Sequence, residues 1–538
     1  MVCSGSCSSR LGTSCVASRV LCLSDLGGCR VVQNYQEFLN RKSQLVRESG
    51  FAPIWLPDFL FDFQRSLCDW SIRKGRAAIF ADCGLGKTAM QLVWAENVVR
   101  QTSRPVLILT PLSVSNQTAR EAEKFGIQAN VSRDGKVMPN ITITNYERLH
   151  HFRSEDFSGV VCDESSILKS FSGMTRKRIT RFTCKMPYRL LCTATAAPND
   201  FVELGTSAES LGELSYSDML RRFFAMLDDK GQKKEKKLQE EAEQVIEHDS
   251  NYYGKLAYRV AQTIGQWRLK HHAVIPFWRW VASWSRACRM PSDLGFDDGE
   301  FVLPPLNETD HVIKVTTAPP GMLFHVPAFG LAEERSERRR TLTERCDYVS
   351  SLLSPKNHAI IWCHMNIEGN LLEKIIPDSV QVSGADSNDW KEAAIGWFCG
   401  DVDRGELESL SSGTKLSAWK HRNSVYGKAT DRRVLITKPK IASYGLNLQH
   451  CNHVVTFASH SYEQYYQSVR RCWRFGQKKP VNLDVVATEG EVRVLQNMRS
   501  KARRADTMFT ELVKAMNNAT RINRSNIYTN PMEVPLWL

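Results

Sequence analysis

The sequence lacks long hydrophobic runs and visible internal repeats. No stretch of about 18 consecutive apolar residues is present, so the sequence predicts a soluble protein without a membrane-spanning helix. The absence of a sequence repeat does not exclude two lobes with the same architecture, because two such lobes can have unrelated sequences. At 538 residues the chain is too long for one hydrophobic core. We expect about two to four domains.

Paired cysteine motifs are also missing. The first 29 residues carry five cysteines but no CxxC pair and no neighbouring His, which argues against a zinc site. Low hydrophobicity with abundant Ser and Gly predicts a disordered leader over residues 1–32, and leaves open whether it lies upstream of the native start. Cysteines beyond residue 60 stand alone in apolar contexts, as is typical of reduced core residues in a cytoplasmic protein.

Acidic residues are in short supply relative to basic ones. Lys and Arg number 71 against 58 Asp and Glu, which gives a formal net charge of +13 and a pI near 9.0. Such a balance favours a polyanionic partner. Charge alone is equally consistent with a basic protein that is merely soluble, so this observation only supports others.

A phosphate-binding loop is the first specific motif. A short apolar strand from Ala77 to Phe80 leads into a loop of the form AxxGxGKT and then into a helical pattern. Such a loop offers backbone N–H groups and a helix N-terminus to phosphate oxygens, with a Lys on the β- and γ-phosphates and a hydroxyl on Mg²⁺. The residues predicted to hold a nucleoside triphosphate are Gly84, Gly86, Lys87 and Thr88.

A pair of acidic residues follows a second apolar strand. The segment FSGVVCDESSILKS ends its strand in Asp163 and Glu164. This placement suits Asp163 as a ligand of Mg²⁺ through water and Glu164 as the group that polarises the attacking water. Two acidic residues after a strand are also typical of a helix cap. The phosphate loop favours the catalytic interpretation.

Further motifs stand in a fixed order around these two. In the first half they are FDFQR, PVLILTPLSVSNQTAREAEKFG, TNYERL and LLCTATAAPND, and in the second half HAIIWCHM, VQVSG, VLITKPKIASYGLNLQH and QSVRRCWRFGQ. With these motifs the chain resembles the superfamily 2 helicases, and within them the Swi/Snf family of helicase-like ATPases, particularly compact forms of phages and prophages. The resemblance covers roughly residues 61–515.

The resemblance implies roles for individual residues. It implies that ATP is the nucleotide, that Gln64 reads adenine, and that motif V binds through a segment that includes Gly445. The last motif matches QxxxRxxRxGQ, which implies that its Gln and two Arg reach from the second lobe to the γ-phosphate. These residues are Gln467, Arg471 and Arg474. Without the resemblance, two arginines at helical spacing indicate a solvated basic face or a contact with a phosphate backbone.

Two motifs depart from the family pattern. Motif II, the segment that contains Asp163 and Glu164, often ends in His in the family, but Ser166 stands there. The resemblance therefore does not imply how motif II is linked to motif III, which is LLCTATAAPND with Thr193. Family members commonly carry Trp-Asn-Pro shortly before the last motif, whereas this chain has His460, Ser461 and Tyr462 in that region. Because of the second departure, the resemblance does not imply how the second lobe holds DNA.

An aromatic and basic segment lies between the two halves. GQWRLKHHAVIPFWRWVASWSRACR could stack on bases. However, Phe277, Val281, Trp284 and Cys288 fall at the spacing of one amphipathic helix face, which favours core packing. A charged stretch, DDKGQKKEKKLQEEAEQ, precedes this segment and predicts a solvated helix.

We therefore expect an α/β fold of two RecA-like lobes, each a mostly parallel sheet covered by helices, with a helical insertion between them. A surface insert is expected within the second lobe, near residues 404–430. The expected parts are a leader (1–32), lobe 1 (33–210), the insertion and connector (211–341), lobe 2 (342–515) and a tail (516–538).

The resemblance implies an ATP-dependent translocase that uses Mg²⁺ and moves on DNA, with duplex DNA favoured. We expect a monomer in the cytoplasm, that of a host cell if phage-encoded, without a membrane partner and with other phage or host DNA-metabolism proteins as candidate partners. An RNA or single-strand helicase is one alternative. A DNA-binding scaffold switched by ATP, without translocation, is the other.

Overall fold

A computed structural model describes residues 49–111, 114–169, 173–197, 201–227, 263–264, 267–315, 331–354, 358–403, 405, 407, 432–442 and 447–525. Several sequence predictions lie outside these residues. They are the leader, the charged stretch at 228–244, most of the insert at 404–430, and Gly445 of motif V.

The first lobe is built on a seven-stranded, fully parallel sheet. Its strands are short, and all except the three-residue edge strand Ala129–Val131 are largely buried on both faces, as parallel strands usually are. In order across the sheet they are β10 (Ser285–Cys288), β1 (Arg76–Ala81), β6 (Tyr188–Cys192), β5 (Gly159–Asp163), β2 (Val106–Thr110), β4 (Ile141–Asn145) and β3 (Ala129–Val131).

Helices cover both faces of this sheet. Because side chains alternate along a strand, Ala78 and Phe80 of β1 enter one apolar core while Ala77 and Ile79 enter the other. The helices are α1 (Asp62–Lys74), α2 (Lys87–Thr102), α3 (Ser115–Lys124), α4 (Met174–Thr183), α5 (Leu204–Leu211), α6 (Tyr216–Phe223) and α7 (Val274–Trp284).

The second lobe repeats this plan with a six-stranded parallel sheet. Across the sheet the strands are β11 (Leu306–Ile313), β16 (Val481–Thr488), β15 (His453–Phe457), β12 (Ala359–Trp362), β14 (Val434–Thr437) and β13 (Ser379–Val382). Its helices are α8 (Leu331–Arg340), α9 (Leu342–Leu352), α10 (Asn366–Ile375), α11 (Asn388–Cys399), α12 (Pro439–Ala442), α13 (Tyr462–Val469) and α14 (Val492–Ser525).

The molecule is therefore an α/β protein of two RecA-like lobes, as predicted. Each lobe has a parallel sheet with helices packed on both of its faces. Such sheets place the loops after the carboxyl ends of their strands at one edge, where ligands bind. The phosphate loop after β1 and the acidic pair after β5 share that edge of lobe 1.

The segment between the lobes supplies strands to both sheets. β10 pairs with β1 in lobe 1, and β11 pairs with β16 in lobe 2. Between α6 and α7 a small antiparallel sheet is formed by β7 (Phe224–Met226), β9 (Trp267–Leu269) and β8 (Thr263–Ile264). The domain boundaries drawn from the sequence stay predictions.

The aromatic face of this segment packs in the core, which confirms the packing interpretation. Phe277, Val281 and Trp284 of α7 are fully buried. The helix ends at Trp284 and the chain continues as β10, so Cys288 is buried as a strand residue rather than a helix residue.

Helix α14 belongs to the cores of both lobes. Near its start, Val494 and Met498 pack in the core of lobe 2. Further along, Phe509 and Met516 pack in the core of lobe 1. Its 34 residues make a rod of about 51 Å at 1.5 Å per residue, which is enough to reach from one lobe into the other. Neither this helix nor any other in the described ranges has the length and apolar character that a membrane crossing requires.

Helix α7 provides a test of core packing against base stacking. Phe277→Ala should lower the free energy of unfolding by about 3–5 kcal/mol, because a fully buried ring leaves a cavity. Arg279→Ala, on the exposed face of the same helix, should change it by less than about 0.5 kcal/mol. Chemical denaturation followed by fluorescence gives both values. Unchanged stability in Phe277→Ala with weaker nucleic-acid binding would restore the stacking interpretation.

Candidate active site

The phosphate loop joins β1 to α2 in a conformation that requires glycine. Gly84 has φ of 91° and Gly86, the N-cap of α2, has φ of 72°, a region that side chains with a Cβ rarely adopt. The Lys87 ammonium donates hydrogen bonds to the carbonyl oxygens of Ala81 at 2.9 Å and Asp82 at 3.1 Å. The loop thus surrounds the Lys87 ammonium at the N-terminus of α2. A helix N-terminus of this kind offers backbone N–H groups to phosphate oxygens.

Gln64 supports the loop from α1. Its Nε2 donates to the Leu85 carbonyl at 3.0 Å, and its Oε1 accepts from the Phe61 N–H at 3.1 Å. A Cβ at Gly86 would lie 2.4 Å from Nε2, so only glycine leaves room for this amide. Both ends of the Gln64 amide are engaged by backbone groups, and its role as adenine reader stays a prediction.

Asp163 lies at the end of β5, opposite the start of α2. Its Oδ1 accepts a 2.7 Å hydrogen bond from Gln91. Burial, and next the charge of Glu164, raises the pKa of Asp163 to about 6. A cation beside the pair would relieve both effects. The Thr88 hydroxyl and the carboxylate oxygens are hard ligands of the kind that Mg²⁺ prefers, so the residues present fit this ion.

Glu164 is held in place by three donors. It has a left-handed backbone, with φ of 52°, directly after β5. Its Oε1 accepts hydrogen bonds from Thr193 Oγ1 at 2.8 Å, Ser166 Oγ at 3.2 Å and Gln467 Nε2 at 2.9 Å. The bond to Thr193 links motif II with motif III directly, and the Ser166 hydroxyl donates to the same carboxylate oxygen.

The last motif places the turns that follow α13 of lobe 2 against the phosphate loop. A Cβ at Gly84 would lie 2.9 Å from the Phe475 nitrogen and 3.6 Å from Arg474 Cβ. Burial, and next the nearby charge of Arg471, lowers the pKa of Arg474. Two cationic side chains therefore lie close enough for their charges to interact, and Arg474 lies beside the phosphate loop.

The predicted site residues are thus brought together from both lobes. Gln64, Gly84, Gly86, Lys87 and Thr88 form or support the loop, and Asp163 and Glu164 lie at the neighbouring strand. Gln467 contacts Glu164, while Arg474 flanks the loop. Gly445 lies outside the described residues, and its role stays a prediction.

The residues in place of Trp-Asn-Pro have structural partners. His460 bonds to Glu334 of α8, and Ser461 caps α13 by accepting from the Gln464 N–H at 3.3 Å. Tyr462 is buried. This part of lobe 2 is fixed by packing and by these hydrogen bonds.

The sequence interpretation missed two contributors to the site. Gln91 lies four residues after Lys87 on α2, so helical spacing alone could have identified it as a neighbour of the acidic pair. Asp82 was read only as an undefined loop position, yet it bonds to Arg470 of lobe 2. Nothing local in the sequence signals that second contact.

Comparison with known proteins adds little to this geometry. No family model and no curated protein matches the chain. Among solved structures the chain is similar to the Sulfolobus solfataricus SWI2/SNF2 ATPase core in complex with dsDNA. The identity is 14% and the TM-score 0.33, over 89% of this chain and 98% of that one. At these values the likeness supports no conclusion about activity.

Two glycines with similar backbones test the contact between the loop and lobe 2. Gly84→Ala should reduce nucleoside triphosphate hydrolysis at least about tenfold, because its Cβ would strike the Phe475 backbone as well as strain φ. Gly126 has φ of 69° but nothing within 4 Å of its Cβ position. Gly126→Ala should therefore keep nearly full turnover. Equal losses in the two variants would show that backbone strain alone explains the effect.

Proposed function

We propose that the chain is an ATP-dependent DNA translocase of the Swi/Snf type, which couples ATP hydrolysis to movement on duplex DNA. One observation carries the proposal. Gln467 of lobe 2 donates a 2.9 Å hydrogen bond to Glu164 of lobe 1, beside a phosphate loop that the same motif contacts. A site assembled from two lobes in this way makes the chemistry depend on how the lobes are docked.

Glu164 is the proposed base for the attacking water. Thr193, Ser166 and Gln467 all donate to its Oε1, which orients the carboxylate and leaves Oε2 available to accept from water. Thr88 and Asp163 would hold Mg²⁺, which when bound neutralises phosphate charge.

Three cations would face the transferred phosphoryl group. Lys87 would turn from the loop carbonyls to phosphate oxygens, while Arg474, with Arg471 near it, would approach from lobe 2. Because these arginines belong to lobe 2, separation of the lobes removes them from the nucleotide. Each catalytic cycle would then close and reopen the cleft, and a polymer held by both lobes would be moved.

The charge of the chain supports a nucleic acid as that polymer. The net charge is +13. Helix α4 of lobe 1 leaves Lys177, Arg178 and Arg181 exposed, while Arg176 is buried in an ion pair with Glu209. Exposed basic side chains provide phosphate contacts that do not depend on sequence. The family resemblance favours duplex DNA, and we propose a cytoplasmic monomer.

Stimulation by nucleic acid tests the proposed polymer. ATP turnover should rise more with long double-stranded DNA than with single-stranded DNA or RNA at equal nucleotide concentration, because phosphate contacts across both lobes would favour the closed site. Displacement of a triplex-forming strand would report movement. Glu164→Gln serves as the control, since it should bind ATP but show no turnover and no displacement.

Each other result of this experiment has a defined meaning. Stimulation by RNA or by single strands alone would indicate a helicase for those substrates. DNA-stimulated turnover without triplex displacement would contradict translocation. Turnover that is indifferent to every nucleic acid would favour an ATP-switched scaffold, and undiminished turnover in Glu164→Gln would remove Glu164 from the mechanism.

Arg474 provides a separate test of catalysis across the cleft. Arg474→Ala should leave ATP affinity nearly intact, because lobe 1 holds most of the nucleotide, while kcat falls by about 10³-fold or more. Arg474→Lys should recover little activity, since an ammonium cannot reproduce the planar fork of guanidinium. DNA affinity without nucleotide should change little. Collapse of DNA affinity with intact DNA-free turnover would instead assign this arginine to the polymer.

A further inference from the structure

A buried ion pair joins the phosphate loop of lobe 1 to the last motif of lobe 2. The Asp82 carboxylate accepts hydrogen bonds from two nitrogens of Arg470, with Nε at 3.2 Å from Oδ1 and the second nitrogen on Oδ2. It also accepts from the Tyr466 hydroxyl. The side chains of Asp82 and Arg470 are only 6% and 5% exposed. The pair therefore lies at the interface of the lobes, away from solvent.

The Asp82 side of the pair is fixed by the loop itself. Oδ1 accepts from the Cys83 N–H at 2.6 Å, and the Asp82 N–H donates to the Cys288 carbonyl of the neighbouring strand at 3.0 Å. The Asp82 carbonyl accepts from Lys87 at 3.1 Å. These hydrogen bonds fix the Asp82 carboxylate relative to the loop that would hold phosphate.

The Arg470 side is fixed just as firmly. The guanidinium carbon lies 4.6 Å from the centre of the Trp473 ring, and the third nitrogen, Nη1, donates to the Trp473 carbonyl at 3.3 Å. Arg470 directly follows the last residue of α13 and directly precedes Arg471, and Arg474 lies four residues further along the same short non-helical segment. Any shift of Arg470 relative to the loop would therefore shift the two arginines aimed at the nucleotide.

A buried ion pair of this kind contributes alignment more than affinity. Docking of the lobes removes both charges from water, which offsets much of their attraction. The planar guanidinium and the carboxylate are nevertheless satisfied in only one relative placement, because two parallel bonds must form together. If one partner is lost, the other becomes an unpaired buried charge that opposes docking.

We propose that Arg470 is a positioning residue, which docks the arginine-bearing segment after α13 on the phosphate loop by pairing with Asp82. The proposal rests on the proposed ATPase activity and deepens it. Position 470 is undefined in the pattern QxxxRxxRxGQ, and its guanidinium is occupied by Asp82 rather than free for a nucleotide. In this proposal Arg471 and Arg474 bind phosphate oxygens, and Arg470 determines the position of these two arginines relative to the phosphate loop.

A double-mutant cycle on full-length protein separates positioning from catalysis. Arg470→Met should lower kcat about 10²-fold and change ATP affinity by less than about threefold, because lobe 1 still binds the nucleotide while docking is opposed by a bare Asp82. Asp82→Asn combined with Arg470→Met removes that bare charge. The double variant should turn over at least about tenfold faster than Arg470→Met alone.

The chain offers a matched control at the same interface. Arg289 of lobe 1 pairs with Asp506 of α14 at 2.9 Å, but these side chains are 33% and 63% exposed. Asp506→Asn should change kcat by less than about twofold, since exposed pairs contribute little. Thermal unfolding of every variant checks that lobe folding is intact.

Hydrogen exchange gives a readout that does not need ATP turnover. Arg470→Met should speed amide exchange in peptides that span 82–86 and 471–477, and the double variant should restore protection. If the wild type has no ATPase activity, the proposed function fails while this comparison still decides the docking role. The proposal would be overturned if the double variant turned over ATP as slowly as Arg470→Met, or if amide exchange in Arg470→Met were unchanged. A loss of kcat in Asp506→Asn equal to that in Arg470→Met would also overturn it, because any ion pair between these segments would then have the same effect.

Discussion

Glu164 and Gln467 belong to different lobes, and their hydrogen bond exists only when the two lobes are docked. The rest of the site follows from this constraint. The phosphate loop needs glycine at Gly84 partly because the Phe475 backbone of lobe 2 comes so close. Burial is the main cause that raises the pKa of Asp163 in lobe 1 and lowers that of Arg474 in lobe 2, so burial disfavours the charged form of each group. A nucleotide in this cleft would complete a set of charges that neither lobe contains alone.

What the sequence could predict was local. A short apolar strand, a glycine-bearing loop and a helix start are read from neighbouring residues, and the structure has β1, the loop and α2 in those places. Parallel strands buried on both faces also leave a clear apolar signal, so the two-lobe fold was predictable from its motifs. Gln91 was within reach of the same reasoning, because it lies one turn after Lys87.

Contacts between distant segments could not be predicted in this way. Asp82 and Arg470 are 388 residues apart, and nothing near either one indicates the other. The segment around α7 shows the same limit on a smaller scale. Its apolar spacing predicted a buried face, but the change from helix to strand after Trp284 depends on the open edge of β1 that β10 occupies. Only the assembled sheet provides that edge.

Helix α14 has a consequence for how the protein folds during synthesis. Met508, Phe509, Leu512 and Met516 complete an apolar core whose other members lie between residues 78 and 287. Lobe 1 emerges from the ribosome first. Its core stays incomplete until the residues from 508 onward have been synthesised, which happens after the strands of lobe 2. Trp280 and Trp284 of α7, beside which α14 packs, belong to the surface that would wait uncovered. Exposed apolar surface of this kind is what chaperones bind, and it makes the nascent first lobe prone to aggregation until the last helix docks.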